Sequence, residues 1–238
     1  MVPHLVLVHG SRLSAAQWAP QQRLLEGRVT LGLVDLPGHG ARAAETFTLD
    51  RCVEVIDAAV DAAPAKAPVI LVGHSLGGYA AMTYAAQHSS RLTGLVLAGC
   101  SATPVGAGAT IYRWVARITD RVGEARMTRL NDAVLRRLYT RDLIEPVIAG
   151  GYFFTPTAAA WQQVMDTCRP SMLWGVTCPV LLLSGQYDQF RVGTAEFLRA
   201  CPSARAEVIP RASHLANLDQ PEAFAAALLR FADSVCGP

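Results

Sequence analysis

Lysine is almost missing: Lys66 is the single one, in a Pro/Ala-rich stretch. Lysine bases and Schiff-base chemistry therefore have no well-placed carrier. The six cysteines, Cys52, Cys100, Cys168, Cys178, Cys201 and Cys236, form no C-x-x-C pair. That excludes the usual zinc spacing and a small disulfide scaffold, and buried free thiols in a reducing compartment are expected. No apolar run approaches the ~18–20 residues of a membrane span. The run at residues 5–8 is too short for a signal peptide and no basic segment precedes it, so a cytoplasmic protein is expected. Charge is sparse too, at 17% of residues with a net of +2, which leaves no basic footprint for nucleic acid. No internal repeat or low-complexity segment appears. The expected partner is a small molecule, with no nucleic acid and no membrane, and the chain a monomer or homodimer.

The chain does have hydrophobic residues, 51% of 238, ample for a large core. They come in short continuous runs at residues 4–8, 29–34, 69–72, 92–98, 179–183 and 206–210. Continuous rather than alternating runs suit strands covered on both faces, as in a parallel sheet. Helical patterns separate the early runs, as at residues 50–62, where Cys52, Val53, Ile56, Ala59 and Val60 share a face. Such alternation predicts a doubly wound α/β sheet of about six strands with flanking helices. Ligands then bind beyond the carboxyl ends of the strands.

The alternation stops between residues 104 and 175, where only helical patterns are found. At 111–122 the arginines Arg113, Arg117 and Arg121 form a row, which is either a solvated face or an anion-docking face. Further helices are expected at 127–139, 141–148 and from Thr155-Pro156 to about 169. The last helix is placed at 220–234, with Asp219 as its N-cap and Phe224, Leu228 and Phe231 facing inward. The chain thus divides into a core at 1–103 and 176–238 and a helical cap at 104–175.

The strongest local signal is Gly73-His74-Ser75-Leu76-Gly77-Gly78, between an apolar strand and a helix of small residues. Only a very sharp turn needs glycines two before and two after a serine. It lifts the Ser75 hydroxyl clear at the strand end, above the N–H groups that open the helix. A serine needs an adjacent base. Among six histidines, His4 and His88 read as surface residues, and His9, His39 and His74 as residues that fix loops. His214 stands just after the last strand, at the expected catalytic edge. Asp188 follows the fifth strand and can orient that imidazole. The other strand-end acid, Asp35, sits in Asp-Leu-Pro-Gly and is explained by turn hydrogen bonding. Residues 99–104 hold no carboxylate.

The order Ser75, Asp188, His214 is that of α/β-hydrolases. Together with Leu5-Val6-Leu7-Val8-His9-Gly10, Asp35-Leu36-Pro37-Gly38-His39-Gly40, Gly185-x-x-Asp188 and Ser213-His214 through Asp219-x-Pro221-Glu222, the chain resembles the α/β-hydrolase fold superfamily. Within it, the chain looks like the capped serine esterase, lactonase and carbon–carbon hydrolase type. The resemblance implies a catalytic triad of Ser75, Asp188 and His214 and an oxyanion hole from the N–H groups of Ser11 and Leu76. The Ser11 hydroxyl would either add a third donor or only cap its loop. The cap would roof an apolar pocket, with Arg12, Trp114, Phe153, Phe154, Trp161 and Leu215 as candidate lining residues. Arg12 would meet a substrate carboxylate or face solvent, and each aromatic would touch substrate or pack the core. No metal or organic cofactor is implied. The reaction implied is hydrolysis of a small, fairly apolar ester, lactone or thioester through an acyl-enzyme. Alternatives are a carbon–carbon hydrolase or cofactor-free perhydrolase with the same triad, or a receptor-like binding protein that keeps the fold.

Overall fold

The computed structural model describes residues 1–103 and 123–237. Its strands are β1 (His4–Val8), β2 (Thr30–Val34), β3 (Val69–His74), β4 (Gly94–Ala98), β5 (Val180–Gly185) and β6 (Ala204–Ile209). They form one sheet in the order β2-β1-β3-β4-β5-β6, with every neighbouring pair parallel. Among the described residues the helices are α1 (Ala19–Leu25), α2 (Leu49–Asp61), α3 (Leu76–His88), α4 (Glu124–Leu138), α5 (Arg141–Ala149), α6 (Thr157–Thr167), α7 (Thr194–Ala200), α8 (Ala216–Asp219) and α9 (Pro221–Cys236).

The continuous apolar runs follow from cover on both faces. Successive strand residues point to opposite sides. Val6, Val8, Leu71, Leu95, Leu97 and Leu182 enter one core with α2, α3 and Phe197 of α7. Leu5, Leu7, Ile70, Val72, Val96 and Leu183 enter the other, with Trp18, Leu25 and the Phe224, Leu228 and Phe231 stripe of α9. Helix α3 is buried along most of its length, from Leu76 to Ala85. Small side chains let it lie close to the sheet centre. Helix α2 starts where Thr48 accepts a hydrogen bond from Arg51 N at 3.0 Å.

Connections from β1 run one way to β2, and the chain then returns to place β3 on the other side of β1. This strand-order reversal opens a crevice between the ends of β1 and β3. The register pairs Val8 with Gly73 and His74 with Ala98. Gly10, Ser75 and Gly99 are thereby brought to one edge. No helix among the described residues is long and apolar enough to cross a membrane.

Two expectations are corrected. His4 is buried, not on the surface, with Nδ1 2.8 Å from Thr30 Oγ1, because β1 is an inner strand. Asp219 does not cap the last helix; Gln220 holds that position, ahead of Pro221. The Asp219 carboxylate instead accepts from Ser213 N, Ser213 Oγ and Tyr139 OH, each at 2.6 Å. A separate short helix, α8, interrupts the segment and turns this acid back toward the His214 loop. Asp35 does accept from Ala41 N at 2.8 Å, just past its own turn, but its other carboxylate oxygen accepts from Ala15 N at 2.7 Å, so it also ties the turn to the segment after β1. The helix read at 111–122, with its arginine row, lies outside the described residues.

Candidate active site

Ser75 sits between β3 and α3 with φ 53° and ψ −118°. For a non-glycine residue this conformation costs about 1–3 kcal/mol and persists only where the surroundings impose it. Here they do. A Cβ on Gly73 would overlap the Gly77 carbonyl, and one on Gly77 would overlap the carbonyls of Val8 and His9. Ser75 N donates to Ala98 O at 2.8 Å, and Ser75 O accepts from Gly78 N at 2.9 Å. The hydroxyl is held at the N-terminus of α3, where the first N–H groups have no intrahelical acceptor.

His214 Nε2 lies 3.0 Å from Ser75 Oγ, and His214 Nδ1 lies 3.0 Å from Asp188 Oδ1. An ionised carboxylate only accepts, so Nδ1 carries the ring proton and Nε2 is left to accept from the serine. Asp188 is 3% exposed, so its charge acts with little solvent screening. Phe190 N donates to the same Oδ1 at 2.9 Å. The His214 loop is tied to the acid's loop through Tyr187 N and Ala212 O at 2.9 Å. Gly99 passes so close that a Cβ there would stand 3.0 Å from Asp188 Oδ2 and 3.2 Å from the His214 ring. The residues after β4 thus lie against the pair without supplying a carboxylate.

Facing Ser75 is the loop after β1. Gly10 N donates to Gln17 Oε1 at 2.8 Å, and Arg12 N donates to His39 Nε2 at 3.3 Å. Between them, the Ser11 N–H has no acceptor among the described residues. The Ser11 hydroxyl is buried and likewise unpartnered among them. His9 and His39 brace this loop. His9 Nδ1 donates to Gly10 O at 2.7 Å, and Nε2 accepts from Leu36 N at 3.0 Å. Burial pushes the His9 pKa down to about 3 and lowers that of His39, so both rings are neutral at pH 7. Burial also raises the Cys100 thiol well above its ordinary value, which keeps it protonated beside the site.

The candidate pocket residues fall into three groups. Arg12, at φ 68°, places its guanidinium over the Phe154 ring at 5.5 Å, and its carbonyl accepts from Phe153 N at 2.9 Å. Trp161 packs edge-on to Tyr79 at 6.0 Å and stacks on Phe190 at 6.1 Å. Leu215 packs with Ile144, Val147 and Leu218. Trp114 lies outside the described residues. Residue patterns missed Phe190, whose ring stacks on His214 at 4.5 Å. They also missed Gln17 and Asn217, both fully buried. Their partners lie far away in sequence, so no local spacing announces them.

Residues 5–227 match the family model described as alpha/beta hydrolase family. Pimeloyl-[acyl-carrier protein] methyl ester esterase of Edwardsiella ictaluri is 30% identical, with 96% of this chain and 93% of the relative covered. A putative 2-succinyl-6-hydroxy-2,4-cyclohexadiene-1-carboxylate synthase of Bacillus subtilis is 25% identical, with 97% and 90% covered. The malate-bound structure of a thermophilic esterase from Thermogutta terrifontis superposes with a TM-score of 0.79 at 25% identity, over 98% of this chain and 90% of that one. With its six-stranded parallel sheet and the family model spanning most of its length, this chain belongs to the alpha/beta hydrolase family and is a hydrolase of that fold.

Proposed function

We propose that the protein is a serine esterase that cleaves a small, fairly apolar carboxylic ester through an acyl-enzyme on Ser75. The observation that carries this reading is the unbroken Ser75–His214–Asp188 chain, 3.0 Å at each link. His214 Nε2 takes the Ser75 proton as the oxygen attacks the carbonyl carbon. The oxyanion forms between the N–H groups of Leu76 and Ser11, each donor worth roughly 3–4 kcal/mol at the transition state. His214 then protonates the departing alcohol. Water enters, gives its proton to His214 and releases the acid and the Ser75 hydroxyl. An ester with a small alcohol is favoured by the relative named as a methyl ester esterase. In this reading Arg12, Phe153 and Phe154 line the oxyanion side and Trp161 the base side of a pocket roofed by the described part of the inserted segment, residues 123–175. That apolar roof would exclude water.

The test is turnover of p-nitrophenyl acetate and butyrate. Ser75→Ala is expected to lower kcat by about 10⁴-fold or more. Equal rates for the two proteins would contradict the reading. Turnover of a β-diketone in place of esters would move the assignment to carbon–carbon hydrolysis by the same residues.

A further inference from the structure

Four fully or almost fully buried polar side chains, Gln17, Gln21, His74 and Asn217, lie together beside Trp18, near the candidate site. Gln17 Oε1 accepts from Gly10 N at 2.8 Å. That bond fixes the amide, because only an oxygen can face the N–H. Gln17 Nε2 must then point the other way, where it meets His74 Nδ1 at 3.0 Å. An amide nitrogen only donates, so Nδ1 accepts and the His74 proton sits on Nε2. From Nε2 the ring donates to His214 O at 2.9 Å. The chain runs in one direction from the Gly10 N–H to the His214 carbonyl. Burial pushes the His74 pKa down to about 3, so the ring does not take the second proton that would break it. Asn217 ties in from α8, just after the His214 loop: it donates to Gln17 O at 3.2 Å and accepts from Gln17 Nε2 at 3.3 Å.

We propose that Gln17 and His74 are positioning residues that lock the Ser11 loop and the His214 loop to each other across Ser75. This rests on the roles proposed above for Ser11, Ser75 and His214. Those loops leave opposite ends of the chain, from β1 and β6, and share no sheet hydrogen bond with one another. Oxyanion donor and base must nevertheless keep register within a fraction of an ångström, since about 1 Å of misplacement can cost 10²-fold in rate. His74 precedes the nucleophile, so the same chain also passes through the elbow.

The experiment compares His74→Phe, His74→Gln, Gln17→Leu and the Gln17→Leu/His74→Phe double variant with wild type and Ser75→Ala on p-nitrophenyl butyrate. Phe keeps the ring volume without its donor; Gln keeps an N–H able to reach the His214 carbonyl. His74→Phe is expected to lower kcat by about ten- to a hundredfold with KM within about threefold, and His74→Gln to regain most of it. The double variant is expected to be no slower than Gln17→Leu alone, because both act on one chain. Unchanged kcat in His74→Phe, equal losses in Phe and Gln, or losses that multiply in the double variant would each overturn the proposal. Should His74→Phe fail to fold, ring-nitrogen NMR of wild type decides. A neutral His74 protonated on Nε2 from about pH 5 to 8 is expected, and an Nδ1–H tautomer overturns the proposal. An active Ser75→Ala would bring down the triad reading and this one with it. An inactive Ser75→Ala beside a fully active His74→Phe brings down this one alone.

Discussion

His9, His39 and His74 each trade hydration for one accepted and one donated hydrogen bond, and burial holds all three neutral. Their shared sign has a consequence for stability. The folded pKa of His9 and His74 is about 3, against an ordinary value of 6.5. Between those values the unfolded chain binds more protons, so acid favours it. The histidine contribution is complete above about pH 6.5 and is lost progressively as pH falls toward 3. The melting temperature should therefore drop steadily from about pH 7 to pH 5, and the drop should be shallower in His9→Asn. A flat profile across that range would contradict the assignment of neutral buried rings. At this scale the sequence was readable wherever a motif carried the residue: Ser75, Asp188 and His214 stand together as their order suggested. It was unreadable for His4, Gln17 and Phe190, whose burial and partners depend on which segments become neighbours.

Element boundaries were legible where periodicity and turn residues agreed. The six apolar runs became β1 to β6, and the stripe of Phe224, Leu228 and Phe231 faces the sheet from α9. The Asp219 position was misread because Asp before Gln-Pro looks like a cap, whereas three hydroxyl and amide donors compete for that carboxylate. Helix α6 shows why cap and core are hard to separate by pattern. It reads as one more helix of the 104–175 segment, yet Ala160, Trp161 and Val164 belong to the same apolar cluster as α2 and α3. Trp161 also stacks on Phe190, which stacks on His214. Trp161→Ala should thus cost about 3–5 kcal/mol of unfolding free energy in urea. It should also lower kcat, through the freed Phe190 ring. A loss of activity with full stability would place Trp161 in the pocket alone.

For the whole molecule, the parallel order with its reversal beside β1 is what assembles the site. The Ser11 loop, the elbow, Gly99, Asp188 and His214 come from five strands and reach one edge because every strand runs the same way. Alternating strand and helix patterns were enough to anticipate that architecture, since crossovers of one hand leave few arrangements. Substrate choice was not legible, because specificity depends on the shape of a site assembled by long-range packing, which residue identities do not fix. The proposed mechanism requires a covalent acyl group on Ser75. Intact-mass measurement after rapid quench with p-nitrophenyl butyrate tests it directly. A transient adduct of one butyryl group, mapped to the peptide containing Ser75 and missing in Ser75→Ala, is the predicted result. Full turnover with no adduct at any quench time, or an adduct on another residue that persists in Ser75→Ala, would contradict it.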